Sequence, residues 1–139
     1  MRKIKFRGKR HYDGEWVYGY PLVADSEKYK SVNIVTLHEA YPDTLAKVTT
    51  SVEFNTLGQF TGLTNRSGKE IYEGDILKMG KCDFRGVVQW HKNGYFYINE
   101  YYPKVIDDDY SPLGNMLRYD MDVIGNVFDN PELMKGGQK

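Results

Sequence analysis

The chain has 139 residues, 40% of them apolar and 27% charged, and its formal net charge is zero. A domain of this length buries enough surface to fold without a covalent staple, and the single cysteine, Cys82, excludes an intrachain disulfide framework. Zero net charge also removes the long-range field by which bulk electrostatic DNA-binding proteins attract their ligand. The charges are unevenly placed, because residues 2 to 10 carry six cations and no acid.

The start of the chain is predicted to form a β-hairpin. Residues 3 to 7 alternate between basic and apolar side chains, which is the period-2 pattern of a strand with one buried face. Asp13-Gly14 supplies a tight turn. Trp16, Tyr18 and Tyr20 then share one face of the returning strand. Their rings could form a core layer or an exposed stacking surface, and we favour the core layer.

The next segments extend this pattern. A turn over residues 25–28 precedes a β-branched strand over residues 31–37. Residues 38–46 contain Pro42, which cannot donate to a strand ladder, and are predicted to be a loop. Alternating residues 48–54 predict a further half-exposed strand.

Residues 59–78 contain short apolar bursts separated by turn formers, which is typical of short β-strands. The two sharpest turn signals are the polar cluster Asn65–Gly68 and the dipeptide Gly74-Asp75. We expect Asp75 to cap its turn by accepting backbone N–H groups, with Glu70 and Glu73 solvated.

The second half contains the strongest hairpin signal of the chain, Asn93-Gly94, between predicted strands over residues 86–90 and 95–98. Residues 101–118 predict a long loop with a helical turn at 113–117.

A closing strand is predicted over residues 121–128, with a bulge at Gly125. Asp129 or Asn130 is expected to cap a short helix with Pro131 in its first turn.

Together these elements predict a mainly β fold with little helix. We expect N-terminal β-hairpins over residues 1–54, a small, partly open Src-homology-3-like β-barrel or roll over residues 55–133, and a disordered tail over residues 134–139. These parts are expected to form one domain.

The sequence contains no complete catalytic or metal-binding motif. The segment from Gly62 to Glu70 resembles a phosphate-binding loop, but five residues instead of four separate its glycines, and Glu70 stands where a Ser or Thr is needed. An EF-hand loop starting at Asp107 would need Gly where Pro112 stands and Glu where Arg118 stands. We interpret residues 107–109 as a solvated acidic loop.

The remaining titratable candidates are isolated. His11, His38 and His91 lie far apart in the sequence, and a site assembled from them by the fold has no support from the pattern. Cys82 lies beside Asp83, which disfavours the reactive thiolate. We therefore predict no catalytic residue, no metal site and no cofactor.

The remaining candidate site is a set of aromatic and basic residues around the predicted Asn93-Gly94 hairpin. Aromatic rings in a basic groove stack the bases of single-stranded nucleic acids, and the same residue types are common hot spots for protein partners. Both alternatives stay open for these residues: Arg85, Trp90, Lys92, Tyr95 and Tyr97.

Four stretches of the chain resemble the YopX family of small proteins encoded by bacteriophages and prophages of Gram-positive bacteria. They read IKFR from Ile4, GQFTGL from Gly58, GKEIYEGDI from Gly68 and VIGNVFDNPEL from Val123. The resemblance implies a mainly β fold with a barrel-like second half and a phage or prophage origin. It implies no catalytic residues, because the shared positions are mostly glycines, turn formers and apolar residues that specify backbone shape.

We therefore expect a non-enzymatic phage or prophage accessory protein that binds a protein partner or self-associates. A nucleic-acid-binding small barrel is the alternative, and a metal-assisted hydrolase using residues 107–109 or 70–75 ranks lowest. The sequence lacks the apolar segment of a secretory signal and any apolar run of membrane-spanning length. We accordingly expect a protein of the bacterial host cytoplasm without membrane contact.

Overall fold

The computed structural model describes residues 1–41, 44–80, 84–102, 111–117 and 119–135, and is mainly β. The chain divides into two compact units, the first from Met1 to Phe60 and the second from Thr61 to Lys139. The sequence places the corresponding division after residue 54. Each unit is described by itself.

The first unit is an antiparallel sheet. Its strands are β1 (Phe6–Lys9), β2 (Trp16–Asp25), β3 (Lys30–Tyr41), β4 (Thr44–Val52) and the first residues of β5 (Gly58–Thr64). They lie in the order β4-β3-β2-β1-β5. β1 to β4 pair with their neighbours along the chain as consecutive hairpins, whereas β5 pairs with β1.

The predicted loop over residues 38–46 is wrong. β3 continues to Tyr41 and β4 begins at Thr44, and the backbones of His38 and Ala46 are paired. Pro42 itself lies outside the described residues. The error arose because the strand was expected to end several residues before Pro42.

One face of this sheet carries the core of the first unit. Val32, Ile34 and Val52 are at most 1% exposed and pack with surrounding apolar residues of β1, β2 and the 3-10 turn Phe54–Thr56. Gly8 lies under Val52, where an added Cβ would come within 2.6 Å of a Val52 methyl group. Close approach of β1 to the end of β4 therefore depends on glycine.

The second unit contains β6 (Glu70–Tyr72), β7 (Asp75–Met79), β8 (Arg85–His91), β9 (Tyr95–Tyr102), the helical turn α1 (Leu113–Met116), β10 (Met121–Asn126) and the 3-10 turn Pro131–Met134. Four strands form an antiparallel sheet in the order β10-β7-β8-β9. Its core contains Ile71, Leu77, Val88, Ile98, Leu113 and Met121.

The predicted turns of the second unit are confirmed. Gly68 has a φ of 88° and donates its N–H to Asn65 O at 3.0 Å. Gly74 has a φ of 85° and Gly94 one of 91°, conformations that glycine adopts without steric cost. The register of β10 against β7 shifts between Val123 and Gly125, which confirms the predicted bulge.

The predicted mainly β class is confirmed, with helix limited to short turns. Within the described residues, the strands form two antiparallel sheets and do not close into a barrel. No helix in the described part of the chain has the length and apolar character needed to cross a membrane.

Gly86 on β8 provides a test of the second unit's packing. An added Cβ would lie 2.5 Å from Asn99 O and 2.5 Å from an Ile98 methyl group on β9. We expect Gly86→Ala to destabilise the protein by about 1–3 kcal/mol, as overpacking of a closed core does. The free energy of unfolding from urea titration measures this loss.

Gly114→Ala is the matched control, because the nearest atom to its added Cβ is 3.9 Å away. We expect no loss of stability there, since alanine favours helix more than glycine does. Equal unfolding midpoints for the two variants would contradict the close β8–β9 approach.

The first hairpin turn provides a pH-dependent test. Arg10 Nε donates to Asp13 Oδ1 at 2.9 Å, and this hydrogen bond holds the pKa of Asp13 below its ordinary value. Because the pKa of Asp13 is lower in the folded state, its carboxylate stabilises the turn at pH values above the pKa of the unfolded chain. This stabilisation is lost as the pH falls through the folded-state pKa. Both side chains are exposed, so we expect only a small effect on global stability.

We expect Arg10→Ala to raise the pKa of Asp13 towards its ordinary value in an NMR titration of the carboxyl carbon. Lys30→Ala is the control, because Lys30 pairs with Asp25 at 3.5 Å in the next hairpin. An Asp13 pKa that does not respond to Arg10→Ala would contradict the assignment.

Candidate binding surfaces

The five predicted binding residues lie on and around the β8–β9 hairpin. The hairpin turn is closed by Gly94 N–H, which donates to His91 O at 2.9 Å, and by Asn93 N–H, which donates to His91 Nδ1 at 3.1 Å. This turn sets the register of the two strands, with Gln89 opposite Tyr97 and His91 opposite Tyr95.

The structure does not bring the five residues onto one surface. Side chains alternate between the two faces of a strand, so Trp90 lies on the opposite face from Tyr95 and Tyr97. Lys92 is exposed in the turn. Arg85 lies on the same face as the tyrosines. It is four residues, or about 13 Å along β8, from Gln89, which is the residue opposite Tyr97.

The two tyrosines contact other side chains of the hairpin. The Tyr95 ring stacks on His91 with centroids 4.6 Å apart and planes 9° apart, and Tyr97 meets the same imidazole edge-on at 5.1 Å. The Tyr97 hydroxyl donates to Gln89 Oε1 at 3.2 Å, and Asn99 Nδ2 donates to the same oxygen at 3.1 Å. His91 is 7% exposed, so this network is a packed side-chain cluster on one face of the hairpin.

Sequence analysis missed the role of His91 in this cluster. A two-residue Asn93-Gly94 turn would place Lys92 opposite Tyr95 and His91 opposite Phe96. The observed loop has three residues, Lys92 to Gly94, and places His91 opposite Tyr95 instead, so the sequence pattern alone did not predict this pairing.

Trp90 and Arg85 have different surroundings from the tyrosines. Trp90 is 55% exposed and meets Phe96 edge-on, with centroids 4.8 Å apart. Arg85 is half-buried, and its Nε is shielded from solvent without a hydrogen-bond partner among the described residues. Its backbone is paired with that of Lys78, a residue of the same charge.

Of the candidate acid and base residues, Asp75 is bonded to the backbone. Asp75 is 2% exposed, and its Oδ2 accepts the Tyr72 N–H at 2.8 Å, which confirms the predicted turn cap. Glu70 and Glu73 are half-buried, which is less exposed than the solvated positions predicted for them. The Tyr72 hydroxyl lies 3.5 Å from Glu70 Oε1.

Two buried asparagines also accept hydrogen bonds from backbone N–H groups. Asn65 Oδ1 accepts the Lys69 N–H at 2.9 Å, and Asn65 Nδ2 donates to Met121 O at 3.2 Å. Asn126 Oδ1 accepts the N–H groups of Phe128 and Asp129 at 3.0 and 2.9 Å. These side chains satisfy backbone groups that the turns leave unpaired.

Other candidates fall partly outside the described residues. Cys82, residues 107–109 and the side chain of His38 are not described, and His11 is exposed. Within the described parts of the chain, no three His, Cys, Asp or Glu side chains converge on a position that would hold a metal ion.

A second surface lies on the first unit. Trp16 is half-buried, with the Arg7 guanidinium 4.5 Å from its ring centroid. Tyr18 and Tyr20 are 43% and 52% exposed, so the expectation that this row of aromatics packs as a core layer is wrong for both tyrosines. The core of the unit lies on the other face of the sheet, where Val17 packs.

Exposed apolar side chains continue from the tyrosines across the sheet. Tyr20 lies opposite Val35 and Leu22 lies opposite Asn33 in the β2–β3 register, which places Leu37 on the same face two residues beyond Val35. We call this surface the β2–β3 apolar face; it consists of Tyr18, Tyr20, Leu22 and Leu37. Leu22 and Leu37 are 59% and 48% exposed.

A groove of about 420 Å³ adjoins this face at Tyr20. It is lined by residues 1 to 5 together with Gly19 and Tyr20. Its lining includes three cations, Arg2, Lys3 and Lys5. The groove that adjoins the β2–β3 apolar face is therefore formed by both apolar and cationic residues.

Comparisons with known proteins are consistent with this fold. The crystal structure of protein EF1440 from Enterococcus faecalis is similar, with a TM-score of 0.56 and 23% sequence identity over 97% of this chain and 100% of that one. At that identity the likeness concerns the fold. No curated protein matches the sequence. The family model described as YopX protein matches residues 5–135, nearly the whole length, and the chain therefore belongs to the YopX family.

Proposed function

We propose that this protein is a non-enzymatic, β-rich binding module that acts through a protein partner or through self-association. As the resemblance of its motifs implies, we place it among phage or prophage accessory proteins of the bacterial cytoplasm. The observation that supports binding most directly is the β2–β3 apolar face.

Antiparallel sheets commonly bury one face and expose the other, and the exposed face is then polar. In the first unit, the buried face carries Val32, Ile34 and Val52, whereas the exposed face carries two tyrosines and two leucines. Single exposed apolar residues are ordinary, but a contiguous group on one face is typical of an interaction site.

The distribution of exposed apolar residues supports the first unit as the binding unit. Of the thirteen large apolar side chains that are exposed among the described residues, ten lie in the first unit. Tyrosine is also enriched at binding hot spots, because its ring buries a large area with little loss of side-chain entropy and its hydroxyl remains hydrogen-bonded.

Three buried polar residues of the second unit favour binding over catalysis. Asn65, Asp75 and Asn126 each accept backbone N–H groups and so specify turns. A general acid or base needs a side chain within reach of a substrate proton, and these side chains are committed to the backbone.

Nucleic-acid binding is the second candidate. Trp90 is 55% exposed beside the exposed Lys92, so a stacking ring and a cation remain accessible at the β8–β9 turn. Tyr95 and Tyr97 are less suited to base stacking, because both contact His91.

The protein-binding proposal predicts contacts at Tyr20. A photoreactive phenylalanine analogue at position 20 is expected to give discrete protein adducts on irradiation of cells, and adding Leu22→Ser is expected to abolish them. The control places the analogue at Tyr29, which is 65% exposed in the same unit but lies in the turn before β3. Equal adducts from both positions, or none from either, would count against this surface.

The nucleic-acid candidate predicts salt-sensitive binding of labelled single-stranded DNA or RNA in fluorescence-polarisation titrations. Loss of one stacking ring costs about 1–3 kcal/mol per base, so Trp90→Ala is expected to weaken binding by roughly 5- to 150-fold. Tyr119→Ala is the control, since Tyr119 is 40% exposed elsewhere in the second unit. No binding at low salt would reject this candidate.

A further inference from the structure

β4 is the outer strand of the first unit's sheet. β3 pairs along one side of it from Thr44 to Val52. On the outer side, the described contacts lie at the C-terminal end, where Arg10 bridges Val52 and the His11 N–H donates to Ser51 O at 3.4 Å. From Thr44 to Thr50, no strand among the described residues covers the outer side.

This edge lacks most of the devices that protect exposed strands. Proteins usually shorten an edge strand, place proline or several charges on it, or interrupt it with a bulge. β4 has nine residues, no proline and one charge, that of Lys47. Its register against β3 is regular from Val52 to Leu45.

We propose that a second copy of this chain pairs with β4 in antiparallel orientation, with a two-fold axis passing beside Val48. This inference rests on the proposed binding function and names its partner and its surface. In a symmetric antiparallel pair, residues opposite each other share a face, and their numbers sum to twice the number of the residue at the axis. Here Val48 lies opposite Val48, and Lys47 lies opposite Thr49 of the second copy.

The choice of Val48 follows from the charge and from the occupied end of the strand. An axis at Lys47 would place two cations directly opposite each other, which is destabilising. An axis at Thr49 would place Lys47 opposite Ser51, whose carbonyl already accepts the His11 N–H. With the axis at Val48, the two copies pair through residues 46 to 50 alone. The Val48 side chain, which is 48% exposed in the single chain, is then buried between the copies.

A two-fold axis perpendicular to the sheet keeps equivalent faces on the same side. The β2–β3 apolar faces of the two copies would then lie side by side on one continuous sheet. Pairing through β4 therefore enlarges the proposed binding surface without covering it.

The test is disulfide trapping in a protein whose Cys82 is replaced by serine. Under a copper–phenanthroline oxidant, Val48→Cys is expected to give a covalent dimer, because cross-strand residues at the axis are close enough for a disulfide. Leu37→Cys is the matched control: it is equally exposed at 48% but lies one strand further from the axis. Efficient cross-linking of both variants would overturn the proposal.

Sedimentation velocity provides the independent measurement. The unmodified protein is expected to be a dimer and Val48→Lys a folded monomer with an unchanged circular-dichroism spectrum, since the substitution places two cations at the axis and disturbs no buried contact of the single chain. A monomeric unmodified protein would overturn the inference, and so would a dimer that persists in Val48→Lys. In either case, adducts from position 20 to another protein would leave the proposed binding function standing.

Discussion

Burial of one face of the first unit's sheet is the constraint on which its other properties depend. Val32, Ile34 and Val52 are almost fully buried in one cluster, and all three belong to the β3–β4 hairpin. A slip of one residue in either strand would turn these side chains to the opposite face, so the register is strongly specified. Tyr18, Tyr20 and their apolar neighbours are directed outward for the same reason.

The second unit shows a similar dependence on register. The hairpin turn fixes the partners from Gly86 to His91 in β8, and with them the face on which each of these side chains lies. The aromatic residues that are neighbours in sequence are consequently divided between two environments. Trp90 extends the core face into solvent, whereas Tyr95 and Tyr97 surround a buried histidine.

Both units combine rigid turns with surfaces suited to recognition. The backbone is held at its sharpest bends by glycines and by three buried polar side chains, which replace missing backbone partners: Asn65, Asp75 and Asn126. Such positions preserve shape. The β2–β3 apolar face lies outside these positions, so the residues that specify the turns differ from those of the proposed binding surface.

The sequence by itself determined the family, the mainly β class, the hairpin turns and the bulge at Gly125. These features depend on local chemistry: a positive φ requires glycine, and alternation of apolar residues follows the pleat of a strand. The prediction failed at residues 38–46, where proline was given too much weight, and at Tyr18 and Tyr20, which were expected in the core.

Only the tertiary structure decided which face of each strand is buried and which strand lies at an edge. Alternation shows that Trp16, Tyr18 and Tyr20 share a face, but whether that face meets a core depends on where Val32 and Ile34 pack. The position of β4 at the edge likewise depends on the order of strands in the sheet. Both properties arise from contacts between residues far apart in the chain, which a local pattern does not encode.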